Sequence, residues 1–323
     1  MKKIFKTFTI FLIFTLTITG CDKKSENESL TKITLAEVTH SVFYSPLYVS
    51  IENGYFKDNG IDIELILTSG ADKTAASVLS NDAQIGFSGP EATIYIYNSN
   101  EKDYLKTFAG LTKKDGQFIV GSCEEKDNFK ISNLTNKTVL AGRSGGMPLM
   151  MFTYALKESN IDQKDVNIDT SVEFAALSGA FISKTGDYVN LFEPNATNIE
   201  KNKYGCVLTS LGNIVGDVPY TTFYSKASYI ENNKEIIDSF TKAINEGLKF
   251  VQENDANTIA KAIINQFPDI SLEDLTIIVQ RYKDIDAWFE NTDIPKETFD
   301  RLQDIMIYNK AIEEKVKFED LFI

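Results

Sequence analysis

The chain has 323 residues, with 33 Lys or Arg against 46 Asp or Glu, which gives a formal net charge of −13 at pH 7. A surface with that balance repels polyanions at long range, so it argues against nucleic acid as a partner and against adhesion to anionic lipid by charge. His40 is the one histidine, which excludes most histidine-based metal sites and any catalytic pair of histidines; no metal or cofactor is expected.

Lys2, Lys3 and Lys6 precede an apolar stretch over residues 8–18 that is too short and too interrupted by threonine for a membrane span. The run Ile18-Thr19-Gly20-Cys21 then resembles the bacterial lipobox, where small residues admit the signal peptidase and the cysteine thiol receives diacylglycerol. On that resemblance residues 1–20 are an export signal and Cys21 carries the lipid that holds the protein on the extracytoplasmic face of the cell membrane. An ordinary signal peptide with an incidental cysteine is the alternative. Residues 21–32 follow as a polar tether, with nothing apolar to bury between residues 22 and 29.

Roughly 290 residues remain, enough for one large or two medium domains with cores of their own. Strands fit residues 33–39, 61–67, 83–87 and 105–111, rich in β-branched and aromatic side chains. Between them, helices fit residues 45–53, entered through Ser45-Pro46 and stopped by Gly54, then 72–79 and 90–97. A second unit repeats the alternation: strands at 138–140, 167–170, 188–192 and 206–208, helices at 148–159, 174–183 and 194–201. Strand and helix in alternation mean parallel sheets covered on both faces. After Ser225 only helices are expected, at 233–253, 256–266, 272–282 and 296–308, returning to cover the first unit. Residues 118–122 and 221–225 are the expected crossings. The reading is an α/β chain of two lobes, 33–117 plus 225–323 and 118–224, each a mainly parallel sheet flanked by helices, with a helical C-terminal tail. Cys123 and Cys206 either pair, as an exported protein permits, or are two small buried side chains.

The segment from Thr39-His40-Ser41-Val42-Phe43-Tyr44-Ser45-Pro46 through Glu52-Asn53-Gly54-Tyr55-Phe56 resembles the opening of solute-binding proteins of ABC importers. The branch is the one that handles thiamine pyrimidine precursors, aliphatic sulfonates, taurine and nitrate. The Ala83-Gln84-Ile85-Gly86-Phe87-Ser88-Gly89 strand and turn, the Gly142-Arg143-Ser144-Gly145-Gly146-Met147-Pro148 loop and Phe192-Glu193-Pro194 match in the same order. The resemblance implies a type II periplasmic-binding-protein-like fold in which two lobes close on a ligand, and a monomer that docks on an ABC permease. Loops leaving the carboxyl ends of parallel strands form the natural crevice of such sheets.

Three turns open helices toward that crevice, at 41–45, 88–91 and 143–147, and so aim backbone N–H groups into it. They nominate His40, Phe43, Tyr44, Ser88, Gly89, Glu91, Arg143, Gly145, Gly146, Met147 and Glu193 as ligand-binding residues. Glu91 at a helix start repels an anion, or it merely stabilises its own helix. Flat rings beside a carboxylate suit a planar heteroaromatic ligand bearing an amino group or positive charge, as in an aminopyrimidine or thiamine. Glu193 either accepts from such a ring edge or caps its helix. Arg143 binds a carboxylate, sulfonate or phosphate, or neutralises Glu91 or Glu193. His40 lies at the cleft or serves as a hydrogen-bonded structural residue, while Tyr48 and Tyr95 belong to the core. The expected function is delivery of thiamine or its pyrimidine precursor to an importer, not catalysis. The same role for a sulfonate, taurine or nitrate stands beside it, and a pyrimidine-synthesising enzyme or a ligand sensor stands further off.

Overall fold

The first strand, Thr31–Glu37 (β1), starts two residues before the expected one, because it pairs in parallel along its whole length with Ile61–Leu67 (β2). The computed structural model describes residues 30–142 and 145–323. Ile85–Ser88 (β3) lies parallel on the other side of β1, and Leu105–Thr112 (β4) and the late strand Thr221–Lys226 complete a five-stranded sheet.

The second sheet takes Phe118–Gly121 (β5), Thr138–Leu140 (β6), Asn167–Asp169 (β7), Tyr188–Leu191 (β8) and Cys206–Ser210 (β9). With Thr221–Lys226 as β10, the orders are β2-β1-β3-β10-β4 and β7-β6-β8-β5-β9. In each sheet the fourth strand is antiparallel to both neighbours, and it is the strand by which the chain enters that lobe from the other. The two lobes therefore share one topology, and the α/β two-lobed fold with helical C-terminal segments is observed.

The crossing places differ from the expected ones. Both β5 and β10 lie wholly inside a sheet, because their apolar and β-branched residues find ladder partners on both sides. The chain passes between lobes at residues 113–117 and 216–220 instead, and the two passages are zipped together. Val218 donates its N–H to Lys113 (2.9 Å), Tyr220 to Thr112 (2.9 Å), and Leu211 to Gln117 (3.0 Å). The return to the first sheet thus begins at Thr221, four residues before the expected boundary at 225.

Cys123 and Cys206 are bonded. The β5–β9 register sets Gly121 opposite Cys206, so Cys123 two residues on comes within reach. Closing an 83-residue separation constrains the unfolded chain by about 4 kcal/mol.

The tail also departs from its expected place. Helix Lys234–Glu253 does cover the first lobe, where Ser50 donates to the Ala243 carbonyl (2.8 Å). Helices Leu272–Asp284 and Lys296–Tyr308 reach further, onto the second lobe. Asp274 holds Lys201 at 2.6 Å, Arg281 pairs with Glu193 and Glu200, and Thr153 donates to Asn309 at 2.6 Å. Charged and amide side chains on its outer faces let the tail bridge both lobes.

Candidate functional site

Aromatic rings gather where the lobes meet the crossing passages. Ser41 caps the turn Val42–Tyr44, its side chain accepting from the Phe43 N–H, and so fixes Phe43 and Tyr44 at the end of β1. The Phe43 ring lies 5.9 Å from Phe192 of the second lobe, 5.8 Å from Tyr220 of the return passage and 5.0 Å from Tyr282 of the tail. A Cβ at Gly116 would fall 2.8 Å from the Phe43 ring, so the outgoing passage can approach that ring only with glycine there. Trp288 donates its indole N–H to the Phe43 carbonyl (2.8 Å) and fixes it from behind.

Glu91 opens helix Glu91–Asn98 beside these rings and is almost wholly buried. Its carboxylate folds back over its own helix start, where any side chain at Gly89 would collide with it. Burial pushes the carboxyl up to about 7, although its own N–H and that of Met147 pull the other way. Met147 begins the second-lobe helix Met147–Glu158, so this N–H reaches across from the opposite lobe. Among the described residues Oε2 of Glu91 has no hydrogen-bond partner. Asp115 in the outgoing passage is also fully buried, and burial pushes it up to about 7 against the two hydrogen bonds it accepts from Gln117. Among the described residues no Lys or Arg ion-pairs with Glu91 or Asp115.

The expected site residues divide. Phe43, Tyr44, Glu91 and Met147 come together, and Gly89 makes room for the Glu91 carboxylate. Ser88 turns away, bonded to the Tyr224 hydroxyl (2.8 Å) behind the sheet. Gly145 is exposed and Gly146 half-buried at the entrance to the second-lobe helix. Cys21 and Arg143 lie outside the described residues.

His40 is not free for a ligand: its Nδ1 meets Glu37 (2.8 Å), its Nε2 meets the Gln266 carbonyl (2.9 Å), and its ring packs on Tyr48 and Phe267. Glu193 likewise has both oxygens taken. One accepts from the Thr197 N–H (2.8 Å), the other from the Thr197 hydroxyl (3.0 Å) and from Arg281. The capping reading of Glu193 and the structural reading of His40 describe these contacts, and Tyr48 is a core residue bonded to Glu37.

Two buried polar residues carried little sequence signal. Tyr220 is buried with its hydroxyl unpaired, and it was hidden in a passage read as a strand boundary. Asn190 is fully buried in β8 with both amide atoms unpaired. A polar residue inside an apolar strand was the cue that could have found it.

Two α/β lobes of one topology, joined by paired passages and meeting over aromatic rings and a buried acid, define the periplasmic-binding-protein fold. The chain belongs to the family described as NMT1/THI5 like, which matches residues 43–258. It is 38% identical over 326 residues to the Bacillus subtilis (strain 168) protein named "Putative binding protein YtlA", covering 96% of each chain. It is 21% identical to the formylaminopyrimidine-binding protein of Halalkalibacterium halodurans, covering 99% of this chain and 98% of that one. The alkanesulfonate-binding protein SsuA from Xanthomonas axonopodis pv. citri, solved bound to MOPS, superposes with a TM-score of 0.70 at 11% identity, over 91% of this chain and 98% of that one.

Proposed function

We propose that this protein is the solute-binding component of an ABC importer, held outside the cytoplasm by a lipid on Cys21. Its ligand is thiamine or an aminopyrimidine precursor of it. The observation that carries this reading is the buried Glu91 carboxyl, which has one oxygen unpaired among the described residues and acts electrostatically on Tyr44 and Tyr220 of the aromatic cluster. A carboxylate there accepts from an amino group, and flat rings stack on a heteroaromatic plane, whereas an anion would meet an acid that no Lys or Arg pairs with among the described residues. The relationship to a formylaminopyrimidine-binding protein supports the same class. The Cys123–Cys206 bond supports an oxidising compartment, and two acyl chains anchor firmly at about 0.8 kcal/mol per buried methylene.

The test is a thermal-shift screen of the unlipidated protein against thiamine, aminopyrimidines, taurine, alkanesulfonates and nitrate. A ligand at one hundred times its dissociation constant stabilises by about 2.7 kcal/mol through mass action. Stabilisation by the aminopyrimidines and not by the anions is expected; the reverse would transfer the importer role to an anion.

A further inference from the structure

Tyr220 stands where the return passage meets the lobes, between a ring from each lobe: Phe43 at 5.8 Å and Phe192 at 6.3 Å. It is 5% exposed, and its hydroxyl is among the few buried polar groups with no partner. Other buried tyrosine hydroxyls of the first lobe and tail are paired. Tyr48 donates to Glu37, Tyr224 meets Ser88, and Tyr282 donates to the Gly116 carbonyl. A buried hydroxyl left without a partner costs its desolvation, so it is retained where something else pairs with it. The Glu91 carboxylate lies close enough to act on Tyr220 through space, as do Asp115, Tyr44 and Tyr282. The return passage and the first lobe thus each present a buried atom without a partner among the described residues, a donor on Tyr220 and an acceptor on Glu91.

We infer that the Tyr220 hydroxyl donates a hydrogen bond to a ring nitrogen of the ligand while Glu91 accepts from its amino group, so that the two together read an N=C–NH2 edge. This rests on the aminopyrimidine reading and narrows it: an amine on a plain aromatic ring satisfies Glu91 but leaves Tyr220 unpaired. Tyr220 is thereby a specificity-determining residue. It also belongs to the passage that joins the lobes, so the ligand's edge is read from the hinge side as well as from a lobe.

The experiment is calorimetric titration at pH 8 of wild-type protein and Tyr220→Phe with two probes of one shape. These are 4-amino-2-methylpyrimidine and 3-methylaniline, which keeps the amino and methyl groups and lacks the ring nitrogens. Wild-type protein should prefer the pyrimidine, and Tyr220→Phe should weaken pyrimidine binding about tenfold while leaving 3-methylaniline within about twofold. The ligand-free variant should unfold at the wild-type temperature or above it, since only an unpaired hydroxyl is removed. Equal losses for both probes, unchanged pyrimidine binding, or a destabilised ligand-free variant would each overturn the assignment of Tyr220 while leaving the aminopyrimidine reading in place. Failure of wild-type protein to bind the pyrimidine would overturn that reading and this inference together.

Discussion

Glu91, Asp115 and His40 all hold their protons more tightly than the same groups do in an unfolded chain. Burial raises the two carboxyls to about 7, and the hydrogen bond to Glu37 is the largest cause raising His40 above 6.5. The folded state therefore binds more protons than the unfolded one from about pH 5 to just above 7, and stability falls as pH rises through that window. For His40 the contribution is complete below 6.5 and is lost above its folded value. Glu200, Asp169, Asp255 and Asp274 are held below their ordinary values and act with the opposite sign, but only in more acid solution. The ligand-free protein should accordingly unfold at a higher temperature at pH 5.5 than at pH 7.5. A tenfold gain in a group's proton affinity on folding is worth at most about 1.4 kcal/mol. Glu91→Gln should flatten the profile; an unchanged slope in that variant would mean that Glu91 is already ionised in the ligand-free chain.

Among the elements, helix Leu272–Asp284 couples the tail to the second lobe. Arg281 reaches Glu193 and Glu200 with separate nitrogens, and the Glu193 side chain is fully buried. Arg281→Ala leaves that carboxylate without its cation and should cost about 3 kcal/mol, read as a fall in the urea midpoint. Arg281→Lys should recover less than half, since one ammonium cannot reproduce the fork that reaches both acids. A wild-type midpoint in Arg281→Ala would show that the clasp contributes nothing. At the other end of the chain, Cys21→Ala should abolish acyl labelling and leave precursor or released protein; normal palmitate incorporation would refute the anchor. The strands and the first helix's ends were legible because their causes are local: β-branched runs, Pro46 in the first turn, and Gly54 at φ 80°; Ser45, read as the cap, is instead the first helical residue. The Glu193–Arg281 pairing was not, because its partners are 88 residues apart and either acid alone suits a helix start equally well. The Cys123–Cys206 bond stayed open for a similar reason: only the β5–β9 register decides it.

For the whole molecule, closure brings a first-lobe carboxylate to a second-lobe helix start, with Glu91 receiving the Met147 N–H. The tail helices clasp the lobes from outside through Lys201–Asp274 and Thr153–Asn309. On the proposed function, ligand binding and closure would be one event, with the ligand taking up polar atoms left unpaired among the described residues. The alternation of strand and helix foretold two lobes, and the turn after β3 put Glu91 at a helix start, where the structure has it. The buried groups of the two passages, Asp115 and Tyr220, were not foretold, because a connecting passage has no periodic pattern to read. The central claim is that the proposed site around Glu91 takes an amino-bearing planar ring and not an anion, and the most direct measurement is calorimetric titration of Glu91→Gln beside wild-type protein. The account predicts that aminopyrimidine or thiamine binding weakens by about 1 to 3 kcal/mol, because a charge-assisted hydrogen bond is lost while shape is kept. Tighter binding of taurine or an alkanesulfonate in Glu91→Gln, with aminopyrimidine binding unchanged, would contradict it.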